Sequence, residues 1–252
     1  MQVKRRMQVK IFKDYDTLSQ EVASNIIHLV KEQPRAILCL AAGDTPRLAY
    51  SLLIEKARAG EIDFSKCTFI GLDEWIGIAP TNPGSCRYFL QTHLFTPIGI
   101  HPSQIHLFDA LSPDLASECR KMDQTIREKQ GIDLMLVGVG MNGHIGFNEP
   151  GAALNQYAHV ISLDETTQTV GQKYFTESTK LQKGVTLGLQ HLLDSRTAIM
   201  IASGSKKAEI IRKALEEPIT TQVPASVVRK HEKGLVMLDQ DAASLLQRKI
   251  SK

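Results

Sequence analysis

Asn142, His144 and Glu149 fall in one glycine-rich stretch, Gly138-Val-Gly140-Met-Asn142-Gly143-His144-Ile-Gly-Phe-Asn-Glu149-Pro150. An imidazole is the one side chain whose unperturbed pKa lies close to neutrality. A carboxylate nearby orients it and stabilises its protonated form. Such a pair suits general acid–base work on a hydroxyl or ring oxygen, worth about 10²–10⁴-fold in rate. A loop histidine bonded to backbone, beside a solvated Glu149, is the plainer alternative. The position directly after an apolar run, residues 132–139, favours chemistry.

Asp73-Glu74 ends another apolar run, residues 67–72. Adjacent side chains on extended backbone face opposite ways. One of the two can therefore share a cleft with His144 as a general base, and Asp73 is the residue expected there. Two further turns suit an anion. Gly43-Asp44-Thr45 leads into Pro46, which opens a helix well, so N–H groups and the helix dipole await negative charge. Gly204-Ser205-Lys206-Lys207 offers a similar turn with ammonium groups added. Together these features suit a small phosphorylated metabolite.

The stretch from Gly138 to Gly143 also matches G-x-G-x-x-G, and Asp164 falls near the offset of a ribose-binding acid. The match fails beyond Gly143. His-Ile-Gly-Phe-Asn-Glu-Pro cannot open the helix whose N-terminus would hold a pyrophosphate.

These residues need a frame, and the hydrophobic pattern supplies one. Leu18, Val22, Ile26, Leu29 and Val30 recur at helical spacing behind Asp16 or Thr17 as cap, and Pro34 ends the run. Short apolar runs at 36–40, 67–72, 132–139, 197–202 and 235–238 read as strands. Helices are expected from Pro46 through Leu53, over 206–216 and over 242–249. Near-continuous apolar strands alternating with helices predict a single α/β domain, doubly wound around a mainly parallel sheet with helices on both faces. Ligands then bind beyond the carboxyl ends of the strands.

The 252 residues are 42% hydrophobic and 23% charged, which excludes a disordered or fibrous chain. A net charge of +3, spread along the chain, is no nucleic-acid footprint. No stretch approaches the roughly 18 apolar residues of a membrane span, and no signal peptide is evident. Cys39, Cys67, Cys86 and Cys119 lie far apart without a C-x-x-C pair, so a reducing cytoplasm is expected. Residues 1–10, where Met-Gln-Val-Lys occurs twice, read as an N-terminal extension to a domain covering 11–252.

Taken in order from about residue 12 to 246, several blocks resemble the glucosamine-6-phosphate deaminase/isomerase family. They are Leu40-Ala-Ala-Gly43-Asp-Thr45-Pro46, Leu72-Asp73-Glu74-Trp75, the Asn142-Gly-His144 block through Pro150, Val185-Thr-Leu-Gly188 and Gly204-Ser-Lys-Lys207. Gln168, Ala-Gly-Asp-Thr-Pro and Asn82-Pro-Gly-Ser-Cys86 are similar to the galactosamine-6-phosphate isomerase branch. The resemblance implies a Rossmann-like fold with no required cofactor or metal. It implies conversion of an amino-sugar 6-phosphate and water to a ketohexose 6-phosphate and ammonia. By motif, His144 opens the sugar ring, and Asp73 moves a proton between C2 and C1 through an enolamine. Asn142 and Glu149 hold His144. Gly43, Asp44, Thr45 and Lys207 bind the phosphate, with Gly140 and Gln168 completing the substrate contacts. Three departures stand out: Asn142 where many members carry Asp, Thr166-Thr167-Gln168 where many carry Asp-Thr-Arg, and Ala152, His159 and Ile161 where some members bind an N-acetylated activator, so that no such activation is expected. The expected partner is a small phosphorylated amino sugar, not nucleic acid or membrane, and a homo-oligomer is open. The rival readings are a 6-phosphogluconolactonase and a sugar-phosphate-binding regulator without catalysis.

Overall fold

Each apolar run alternates sides, and both sides are buried. In the computed structural model, which describes residues 7–247, the chain runs β1 (Gln8–Phe12), α1 (Tyr15–Glu32), β2 (Ile37–Leu40), α2 (Arg47–Arg58), β3 (Thr68–Gly71) and β4 (Asp73–Trp75). It continues with α3 (Cys86–Leu90), a π-helical segment (Gln91–Phe95), α4 (Thr96–Ile98), β5 (Ile105–His106), α5 (Leu115–Glu128) and β6 (Leu134–Gly138). After a long loop come β7 (His159–Ser162), α6 (Glu165–Gly171), β8 (Lys183–Thr186), α7 (Leu189–Asp194), β9 (Ala198–Ala202), α8 (Ala208–Glu216) and β10 (Gly234–Asp239).

Seven strands form one parallel sheet in the order β1-β10-β9-β6-β2-β3-β5, and β4-β8-β7 form a small antiparallel sheet beside it. Leu38, Leu40, Leu134, Leu136, Ile199 and Ile201 face one layer, closed by Leu18, Val22 and Ile26 of α1 and Tyr50 and Leu53 of α2. Cys39, Met135, Val137, Met200, Val236 and Leu238 face the other, closed by Met122 and Ile126 of α5, Leu192 of α7 and Ile211 and Ala214 of α8. Helices thus cover both faces, which is the expected doubly wound arrangement.

Three local expectations are corrected. The cap of α1 is Asp14, whose Oδ1 accepts from the Thr17 N–H at 2.8 Å and the Thr17 hydroxyl at 2.7 Å. Thr17 is therefore the third helical residue and satisfies the cap rather than forming it. Strand β1 starts at Gln8 and pairs with β10, so residues 8–10 belong to the sheet edge and not to an extension. Residues 1–6, with the first copy of the tetrapeptide, lie outside the described residues. The expected final helix does not form over 242–247, where the chain makes turns; residues 248 and 249 lie outside the described residues.

Leu136 sits in the central strand with no solvent exposure. Leu136→Ala is expected to lower the unfolding free energy by about 2–5 kcal/mol, measured by urea denaturation.

Candidate active site

Strands β2 and β6 are neighbours, yet the chain leaves them in opposite directions across the sheet, from β2 to β3 and from β6 to β9. A crevice opens beyond the carboxyl ends of such a pair. A cavity of about 210 Å³ lies there, lined by residues 41–46 after β2, Asp73 and Trp75 of β4, Cys86, residues 138–141 and His144 after β6, Thr166 and Thr167 of α6, Lys173, Tyr174 and Lys207.

The loop after β6 contains no helix, so the glycine pattern does not make a dinucleotide site. Instead it folds back on itself. The Gly140 N–H donates to the His144 carbonyl at 2.9 Å, and the Gly143 N–H donates to the Gly140 carbonyl at 3.1 Å. The imidazole lies directly over Gly140, where a Cβ would come within 2.2 Å of the ring. Only glycine at 140 admits that placement.

His144 is held through one edge of its ring. Its Nδ1 is 3.0 Å from the Thr167 hydroxyl and 3.5 Å from Glu149 Oε2, which leaves the Nε2 edge for a ligand. The Asn142 amide links the group: Nδ2 donates to Glu149 Oε2 at 2.9 Å and to Asp164 Oδ1 at 3.2 Å, while Oδ1 accepts the His144 N–H at 3.2 Å. Burial works against ionisation of Glu149. Hydrogen bonds and attraction from His144, with Thr167 and Asn142, outweigh it and hold the carboxyl below its ordinary range.

Asp73 begins the small sheet at the edge of the same cavity. Burial raises its pKa to about 7, the charge of Glu74 adds to the rise, and a hydrogen bond from the Cys86 thiol opposes it. Such a carboxyl is half ionised near neutrality and can both take and return a proton. Glu74, its neighbour, is buried away from the cavity. Trp75 packs on Phe147 at 4.5 Å between ring centroids and on Phe175 at 6.0 Å, forming the wall behind.

Cationic side chains also line the cavity. Gly43 has φ +123°, a conformation open to glycine and strained for other residues, and it turns the chain into α2. The Tyr15 hydroxyl braces this turn by donating to the carbonyls of Asp44 and Thr45 at 3.1 and 3.0 Å. Asp44 is paired with Lys173 at 2.8 Å and Arg47 at 3.4 Å, so it holds cations at the cavity rim. The Lys207 ammonium donates to the Val139 carbonyl. Burial, and then repulsion from Lys173, lower its pKa to about 8. Two ammonium groups share the cavity, and an anion between them relieves both repulsion and burial.

Of the residues expected from sequence, Gly43, Asp44, Thr45, Asp73, Gly140, His144 and Lys207 line the cavity. Asn142 and Glu149 stand behind His144. Gln168 is a correction: it is absent from the cavity lining, and its amide donates to the Leu163 carbonyl at 2.8 Å, one turn back across the start of α6. Thr167, Lys173, Tyr174 and Cys86 were missed, since nothing in their local spacing marks them. Among the described residues no cluster of His, Cys, Asp and Glu could hold a metal ion, and no helix is long and apolar enough to cross a membrane. The four cysteines are buried free thiols.

A doubly wound α/β fold with an imidazole and a near-neutral carboxyl facing paired ammonium groups defines a class: a protein equipped for acid–base chemistry on a small anion. Comparison with known proteins narrows this. The chain belongs to the family of glucosamine-6-phosphate isomerases and 6-phosphogluconolactonases, whose model matches residues 14–237. A glucosamine-6-phosphate deaminase of Geobacillus sp. (strain WCH70) is 40% identical over 92% of this chain and 93% of its own. Glucosamine-6-phosphate deaminase 2 of Bacillus subtilis (strain 168) is 37% identical over 96% and 98%. A solved structure described as a monomeric glucosamine-6-phosphate deaminase superposes with a TM-score of 0.92 at 35% identity, covering 95% of this chain and 100% of that one. A 6-phosphogluconolactonase from Trypanosoma cruzi superposes at 0.80 with 16% identity over 98% and 99%, and shares the fold.

The raised pKa of Asp73 has a stability consequence whose sign is set by linkage. Below about pH 3 the carboxyl is protonated in both folded and unfolded chains; above about pH 7 it is ionised in both, at a cost to the fold alone. Asp73→Asn is therefore expected to raise the unfolding free energy by about 2–4 kcal/mol at pH 8 and to leave it unchanged near pH 3, measured by denaturant melts at the two pH values.

Proposed function

We propose that the chain is an amino-sugar 6-phosphate deaminase/isomerase that converts glucosamine 6-phosphate and water to a ketohexose 6-phosphate and ammonia. The observation that carries this reading is the convergence of His144 and Asp73 on one cavity that Lys173 and Lys207 also line. The relatives named above support it, since they are glucosamine-6-phosphate deaminases at 37–40% identity over nearly their whole length.

The phosphate is received by the turn at 43–45 and the two lysines. That places the sugar ring toward β4 and the loop after β6. The Nε2 edge of His144 moves a proton between the anomeric hydroxyl and the ring oxygen, which opens the ring. Glu149 and Thr167 hold the imidazole by its Nδ1 edge, and Asn142 holds Glu149 and the His144 backbone. The Asp73 carboxylate takes the proton from C2 of the open chain while the C1 carbonyl oxygen gains one from the substrate's own ammonium group, leaving a neutral enolamine, and Asp73 then returns its proton to C1. The resulting C2 iminium adds water and expels ammonia.

A preference for a galactosamine substrate rests in part on Gln168, which bonds to backbone away from the cavity. Glucosamine 6-phosphate is the reading retained. The solved relative is described as monomeric. This supports a site complete in a single protomer. Four free thiols support a reducing cytoplasm.

Incubation with glucosamine 6-phosphate is expected to release ammonia, with kcat/KM rising through about pH 7 as Asp73 ionises. His144→Gln is expected to lower kcat by about 10²–10⁴-fold. Hydrolysis of 6-phosphogluconolactone without ammonia release from the amino sugar, or sugar-phosphate binding with no turnover, would overturn the reading. Lys207→Ala is expected to raise KM by about 10–100-fold with kcat changed far less, since it removes a charge-assisted contact to the phosphate.

A further inference from the structure

Glu74 is the carboxylate that the cavity does not use, yet it is only 4% exposed. It accepts three backbone N–H groups: Oε1 from Trp75 at 2.9 Å and Cys86 at 3.0 Å, and Oε2 from Arg87 at 2.8 Å. Two of these donors belong to the first turn of α3, where N–H groups lack helical partners. The Ser85 hydroxyl caps the same turn by accepting from the Tyr88 N–H at 2.9 Å. Beyond it, Phe89, Leu90, Leu94 and Phe95 anchor the helical stretch in the core. Glu74 thus ties the start of α3 to strand β4, one residue from Asp73.

The consequence falls on Cys86. Its side chain lines the same cavity as Asp73, and the charges of Asp73 and Glu74 act on its thiol. Burial and the two acids push the thiol well above its ordinary range, so it remains an S–H donor. We propose that Glu74 and Cys86 are positioning residues for the proton-transfer step: Glu74 pins the start of α3 to β4, and the pinned helix delivers the Cys86 S–H to the Asp73 carboxylate. This rests on the reading of Asp73 as the base that moves the C2 proton.

The two residues act on Asp73 in opposite directions. A donor to the carboxylate favours its charged form, and a like charge nearby disfavours it. The other groups facing Asp73 are Cys39 of β2 beneath it, and His144, Lys173, Tyr174 and Lys207 around the cavity. Arg87 lies against Glu74. Strand β8, paired to β4 on its other side, presents Thr186 opposite Asp73, which carries no charge.

The test is the pH dependence of kcat/KM for ammonia release, alongside the ¹³C-NMR titration of the Asp73 carboxyl carbon, assigned by its loss in Asp73→Asn. Cys86→Ala is expected to move the acidic limb and the NMR midpoint up by about 0.5–1 pH unit, and Cys86→Ser to restore both. Glu74→Gln is expected to move both down, because it removes the neighbouring charge while keeping one acceptor oxygen. Variants that lose kcat with midpoints unmoved would show a role in folding alone and overturn the inference. A wild-type protein that releases no ammonia would overturn the proposed function; the NMR midpoints would still decide the placement of Cys86 and Glu74.

Discussion

A half-buried carboxyl group whose ionisation its surroundings oppose is the constraint around which this molecule is arranged. Asp73 sits where burial holds back its ionisation, so that it titrates near neutrality instead of near pH 4. Every neighbour adjusts that balance. Glu74 adds like charge, the Cys86 thiol adds a donor, and the cationic side chains of the cavity await the phosphate that neutralises them. A carboxylate in free solvent would be too weak a base to take a proton from carbon at useful rates. The cost appears as lost stability, which the two hydrophobic layers of the sheet supply in excess.

His144 is governed by the reverse arrangement. Asn142 beside it carries an amide, which cannot carry a net proton. The geometry gives it another task. Its nitrogen lies between Glu149 and Asp164, and its oxygen receives the His144 N–H. An aspartate there would bring a third carboxylate against two others and could donate to neither when ionised. The amide satisfies both acids and the backbone at once, and Glu149 is the acid that reaches the imidazole directly, at 3.5 Å.

Much of the frame was legible in the chain. The strands over 36–40, 132–139, 197–202 and 235–238 announce themselves because a sheet covered on both faces needs apolar residues at every position. The loop after β6 was legible because no helix can pass through His-Ile-Gly-Phe-Asn-Glu-Pro. Lys173 was not: it meets Asp44 from 129 residues away, and only the folding of the small antiparallel sheet brings them together. Gln168 misled for a related reason, since helix α6 turns Thr167 toward His144 and directs Gln168 back to the Leu163 carbonyl. Strand alternation separates Asp73 from Glu74, but the clamp that Glu74 makes with α3 depends on a helix entering from elsewhere in the fold.

The central claim is spatial: one sugar phosphate spans the cavity from the two ammonium groups to the imidazole and the buried acid. A crystal structure with an unreactive open-chain amino-sugar 6-phosphate analogue tests it most directly. The account predicts the phosphate between Lys173, Lys207 and the turn at 43–45, with C2 within about 3.5 Å of an Asp73 carboxyl oxygen and the C1 end beside His144 Nε2. A phosphate bound elsewhere, or a C2 carbon on the far side of the ligand from Asp73, would contradict it.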